Sequence, residues 1–315
     1  MNHKHNILRS LALSLCISGT SALAEEISLS GIDRVIVVSP LAQVNLMAGG
    51  SPTLKTSPSS QISWTPRIDN RTLHLVGSAA GELKSGAVAR VDLGGVPVEL
   101  HLVEGSVHAH HFLQPVQIDL QRGKIIIKDS KFSGLISLGN GTLNLQDHQG
   151  TLRLEVFRAD VNIKDLSGEL DLSAWKADLT VEKSNASFYL TQYQGNAKFL
   201  KSRGALRFEN AKATLVAQSF GGRVDGHTQE GVVQIHAAEE PEIQVKTQSG
   251  RISVNAAGSG ARLAAVSEDG DLVGPPSIKM EKTKGARVVR GFLKGKNKKG
   301  RIELSAVSGS ITVHE

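Results

Sequence analysis

Residues 141–194 read GTLNLQDHQ, GTLRLEVFR, ADVNIKDLS, GELDLSAWK, ADLTVEKSN, ASFYLTQYQ. The same nine-residue block continues, with lapses, to about residue 235. Its first position is Gly or Ala, its third is apolar, and its fifth is apolar except at Gly226. Apolar residues two apart between polar ones mark a short strand with one buried face. The remaining residues of each block form a bend, and a small residue there suits a corner where a Cβ is crowded or φ is positive. Self-similarity at a fixed period is the signature of a repeat architecture.

Two lags compete for the length of one coil. The first position agrees better at 27 than at 18: Gly141, Gly168, Gly195 and Gly222 share one column, Ala159, Ala186 and Ala213 another. Glu155, Glu182 and Glu209 also recur at 27, as do Leu166, Tyr193 and Phe220 at the eighth position. The expectation is an all-β, single-stranded, right-handed parallel β-helix of about three short strands per coil. It places Asp171 beside Lys198 and Lys198 beside Asp225. Its weak point is the Glu column, a ladder of like charges. A two-sided coil of 18 stays open.

Eight of the twelve aromatics lie between Phe157 and Phe220. Seven occupy third, fifth or eighth positions and are expected inside; Tyr189 alone is expected to face out. A sugar- or base-stacking platform needs an outward column of aromatics.

Around this core, the expected organisation is a signal peptide at 1–24, a β-rich start or cap at 25–120, repeats over 121–275, and a basic insertion with closing strands over 276–315. His3, Lys4, His5 and Arg9, the apolar run Leu11–Ile17 and the phrase Ala22-Leu23-Ala24 form a secretory signal, which implies the periplasm or the outer cell surface. Cys16, the sole cysteine, lies inside it, so the mature chain has no disulfide, thiolate metal site or cysteine nucleophile. No later run reaches membrane-spanning length.

The opening ISLSGIDRVIVVSPLAQVNLMAGGSPTLKTS (27–57) and ISWTPRIDNRTLHLVG (62–77) resembles the start of the family called "putative autotransporter adhesin, head GIN domain". Val44-Asn45-Leu46 with Gly49, and Thr72-Leu73-His74-Leu75, carry the match. The endings AVSEDGDL (265–272) and AVSGSITV (306–313) resemble the repeats of related adhesins. The resemblance implies an exported β-solenoid with an adhesin-like role, and it brings no catalytic residues.

Candidate sites are few. His108 and His110, with His101 and His111 nearby, share a strand face and could offer two metal ligands. Asp160, Asp165, Glu169, Asp171 and Asp178 form no single column, which speaks against glycan cleavage. The turns lack the Asp of calcium-binding nonapeptides. Residues 279–301 hold ten Lys or Arg against Glu281, in a mature chain of net +4. Lys284, Arg287, Arg290, Lys294, Lys296, Lys298 and Lys299 are the candidate anion- or partner-binding residues. The competing reading is a charged hairpin tip that guards an edge strand. The sequence thus points to a non-enzymatic envelope protein that binds a polyanion, a glycan or a protein, with no cofactor and no nucleic acid. The alternatives are a glycan-active enzyme on a β-helix and a periplasmic assembly or signalling partner.

Overall fold

The structure, a computed structural model, describes residues 25–47, 53–57, 62–79, 81, 90–238, 240–295 and 299–315. The proposed signal peptide and residues Lys296 and Lys298 lie outside these. The described residues form β-structure without a helix, in one mostly parallel sheet. None forms a helix long and apolar enough to cross a membrane.

The register decides the repeat. Val98 pairs with Val116, Val116 with Gly134, Ser167 with Asn185 and Asn185 with Arg203, each a step of 18 residues. The three-strand coil of 27 is therefore corrected: two nine-residue blocks return the chain beside itself. Gly141 stands over Gly123, while Gly168 stands over Gly150 at the opposite bend. Glu155 and Glu209 share a face with Ser173 and Thr191 between them, and Glu182 pairs with Leu200 elsewhere. The like-charge ladder vanishes with the 27-residue register. So does the Asp171–Lys198–Asp225 row: Asp171 pairs with Tyr189, Lys198 with Thr180 and Val216, and Asp225 with Gln244.

The two bends of each 18-residue rung differ, and this explains why 18 is hard to read. At one bend the seventh residue of the block takes a left-handed conformation. His111, Asp129, Asp147, Asp165, Lys183, Lys201 and Ser219 do so at φ 48 to 54°. The eighth residue then turns inward, burying Ser130, His148, Leu166, Ser184, Ser202 and Phe220. The serines satisfy backbone groups there: Ser184 Oγ accepts from Leu166 N at 3.0 Å, and Ser202 Oγ from Ser184 N at 3.2 Å. At the other bend the seventh residue is buried (Leu138, Val156, Ala174, Gln192, Asn210) and the eighth points out. Gly141, at φ 145°, shows why a small first residue follows: a Cβ would lie 1.8 Å from the Gly123 carbonyl oxygen. Gly226, the lapse at the fifth position, makes room for the Phe208 ring, 2.3 Å from where its Cβ would be.

Third- and fifth-position side chains from both faces meet in one continuous core, Leu143, Leu152, Val161 and Leu170 among them. At both ends the rungs are out of sequence order. Near the C-terminus, Arg301–Ala306 lies between Glu242–Thr247 and Arg262–Ser267. Likewise Ser310–His314 lies between Arg251–Asn255 and Leu272–Val273. The last rung is therefore slotted inside the one that precedes it in sequence. Near the N-terminus, Arg34–Met47 lies between Val98–His110 on one side and Thr72–Ala79 with Arg90–Gly94 on the other. Antiparallel strands then cover the outermost edges. Ile62–Asp69 covers Thr72–Ala79, Thr53–Ser57 covers Arg90–Gly94, and Ala286–Phe292 covers Arg262–Ser267. Unpaired edges invite pairing with another chain, and these strands remove three of them.

Candidate functional site

The outward eighth column carries chemistry that the inward reading missed. Phe157, Trp175 and Tyr193 follow one another at 18-residue spacing and are 53%, 50% and 36% exposed. Their expected burial is corrected, because the buried seventh residues Val156, Ala174 and Gln192 push the eighth to the surface. Tyr189 faces out as expected, with the Arg207 guanidinium over its ring at 5.8 Å. Phe188, Phe199, Phe208 and Phe220 are buried.

Trp175 and Tyr193 stack face to face, centroids 4.3 Å apart and planes 11° from parallel. Phe157 makes no such ring contact with Trp175, so among the described residues no other ring stacks on the second face of the indole. Beside this ridge runs a groove of about 880 Å³. Its other wall is the outward sixth column, Asp119, Ser137, Glu155, Ser173, Thr191, Glu209 and His227, and Ala174 lies in its floor. The groove crosses the strands and spans the rungs from Asp119 to His227, six steps of roughly 4.8 Å. It is apolar along one edge, rich in hydroxyls and carboxylates along the other, and acidic on balance.

A second groove lies near the C-terminal end, lined by Arg262, Arg290, Phe292, Lys299, Arg301 and Glu303 among others. Two of the seven predicted cationic residues, Arg290 and Lys299, meet here; Arg262 and Arg301 were not among the candidates. Of the rest, Lys284 sits at the left-handed turn (φ 50°) between Met280–Thr283 and Ala286–Phe292. Arg287 is ion-paired with Asp271 at 2.6 Å. The Lys294 backbone amide donates to the Glu315 carboxylate. That carboxyl is held below its ordinary value first by the Ser277 hydroxyl and then by this amide. Lys296 and Lys298 lie outside the described residues.

The histidines regroup. His110 and His111 come together with Asp129, one ligand atom from each lying within 4.8 Å of the others. His110 Nε2 is 3.2 Å from Asp129 Oδ2. His108 is not of this group; desolvation, then the nearby Lys124 charge, lowers its pKa. Two imidazoles and a carboxylate are donors that zinc accepts, but all three side chains are exposed.

No family model and no curated protein matches the chain. Among solved structures it is similar to a "putative cell adhesion protein" from Clostridium sporogenes ATCC 15579, at 10% identity over 93% of this chain and 99% of that one, with a TM-score of 0.19. It is also similar to a "putative adhesin" from Parabacteroides distasonis ATCC 8503, at 13% identity over 92% and 96%, TM-score 0.29. A third, a "putative adhesin" from Bacteroides fragilis NCTC 9343, gives 13% identity over 92% and 96%, TM-score 0.24.

Proposed function

We propose that the chain is an exported, non-enzymatic binding protein of the cell envelope with an adhesin-like role. In this reading its 18-residue rungs wind as a two-sided solenoid, right-handed by the rule for parallel crossovers. The corner groove beside Phe157, Trp175 and Tyr193 holds an extended neutral glycan. The exposed Trp175–Tyr193 stack along that groove carries the reading.

Stacked aromatics beside hydroxyl and carboxylate acceptors suit a polyol: the rings take the apolar faces of sugars, and Ser173, Thr191, Glu155 and Glu209 take hydroxyl protons. The rung spacing of roughly 4.8 Å accommodates about one pyranose per step, whereas an extended polypeptide, rising roughly 3.3 Å per residue, drifts out of phase. The acidic wall repels polyanions. Binding is favoured over cleavage because no two acids of this wall stand on adjacent rungs. Asp119 and Glu155 stand two rungs apart, with backbones roughly 9.6 Å apart, and Glu155 and Glu209 three, roughly 14 Å.

The test is binding of the mature chain to neutral envelope polysaccharides, by calorimetry or affinity electrophoresis. Trp175→Ala and Tyr193→Ala should each weaken binding at least tenfold, and Tyr189→Ala, outside the lining of this groove, should not. Equal affinity for all three would refute the groove. Appearance of shortened products would favour the enzyme alternative.

A further inference from the structure

The C-terminal groove has a chemistry opposite to the aromatic one. Arg262 and Arg301 are directly paired residues of adjacent parallel strands, and Phe292 pairs with Arg262 on its other side. In the next row facing the same way, Ala264 lies between Glu303 and Arg290. The small Ala264 opens a hollow ringed by three guanidinium groups and the Lys299 ammonium. Glu303 is the single acid lining it and is ion-paired with Arg301. Arg262, Arg290 and Lys299 have no ion pair among the described residues. Like charges placed side by side on neighbouring strands are destabilising, so this arrangement is at odds with a purely structural role.

We infer that this hollow is a binding site for a phosphate group. Guanidinium forks bind tetrahedral oxyanions through two parallel hydrogen bonds, and Arg262 and Arg290 hold such forks free. The exposed Phe292 at the rim, 60% accessible, places an apolar surface next to the cations. That is the layout of a lipid interface, where the phosphate lies at the boundary of the acyl region. The same hollow also admits a phosphorylated sugar, and the two sources are separable by experiment. The inference stands on Arg262, Arg290, Lys299 and Phe292 and is independent of the aromatic groove.

The experiment uses the mature chain, with flotation on phosphatidylcholine vesicles with and without phosphatidylglycerol and calorimetry with glucose 6-phosphate and inorganic phosphate. The paired variant Arg262→Gln/Arg290→Gln is compared with Lys282→Gln/Lys284→Gln, which removes the same charge at the hairpin tip. The expected result is at least tenfold weaker binding for the groove pair, little change for the tip pair, and a modest dependence on salt. Flotation weakened by Phe292→Ser, with sugar phosphate unaffected, identifies a lipid headgroup; soluble phosphate binding with no flotation identifies a sugar phosphate. Equal loss in both pairs means general attraction of a basic surface, and no binding of any probe means no site; either overturns the proposal. Circular dichroism of each variant confirms that the fold is intact.

Discussion

His148 should make the protein acid-labile, and replacing it with leucine should remove much of that lability. Its ring occupies the inward eighth column, is 1% exposed, and packs edge-on to Phe132 with centroids 4.7 Å apart. Neither ring nitrogen has a partner at full hydrogen-bond geometry, although the backbone of Phe132 and Ser130 lies close by. The Ser130 hydroxyl, in the same column, is engaged elsewhere, donating to the Lys128 carbonyl and accepting from Phe112 N. Burial lowers the pKa from 6.5 to about 4, and the nearby backbone of Phe132 and Ser130 offsets only part of this. A folded pKa below the unfolded one means that the unfolded chain binds more protons between pH 4 and 6.5. Stability is therefore intact above pH 6.5 and is lost as pH falls toward 4, by about 3 kcal/mol once the full shift is spanned. In His148→Leu this slope disappears, and Leu166, the next side chain of the column, shows that leucine fits. The assay is urea denaturation of both proteins across this pH range. Their stability difference isolates His148 from the carboxylates, which titrate in both. A difference that stays constant with pH, or an NMR titration of His148 near its ordinary value, would refute the reasoning.

Gly141→Ala forces a Cβ into the Gly123 carbonyl at a left-handed φ. It should cost about 1–3 kcal/mol in denaturation experiments, with Ala159→Gly, one rung on in the same column, costing less. Removing residues 301–315 empties the slot between Glu242–Thr247 and Arg262–Ser267. The expected outcome is dye binding to exposed apolar surface and self-association in size-exclusion chromatography; a monomer of unchanged thermal stability would contradict the slotted topology. Gln192→Leu removes donors to the Ala177 and Gln194 carbonyls, at 2.6 and 2.9 Å. It should cost about 1–3 kcal/mol, chiefly because the Ala177 carbonyl loses a buried donor.

What the sequence reveals depends on how local the cause is. Strand alternation is local, so the third and fifth positions identify the core. The length of the rung depends on which bend each block makes, and the first position hides it because Gly and Ala both serve at either bend. The seventh position discloses it: Asp147, Asp165, Lys183 and Lys201 alternate with Val156, Ala174, Gln192 and Asn210. Charged or turn-prone side chains mark the left-handed bend, and smaller or neutral ones mark the bend that turns inward. Read at that lag, Phe157, Trp175 and Tyr193 fall into one outward file, so the aromatic ridge was within reach of the sequence.

The order of the end rungs was not legible in the same way, and the reason is physical. AVSEDGDL and AVSGSITV are similar because both must fit the same pleat, bury the same two apolar positions and turn at the same place. A rung is specified by its own alternation and bends, and these do not name the rungs that flank it. Interchangeable edges let the 301–314 rung lie between two earlier ones, with the strands Met280–Thr283 and Ala286–Phe292 set between it and the rung before it in sequence. That same detour places Phe292 on one side of Arg262 and Arg301 on the other, with Arg290 beside Ala264 in the next row. Positive residues far apart in the chain thereby ring one hollow, and a search for charge runs finds only those in the insertion. Arg262, outside the run, marks the difference between a basic segment and a site.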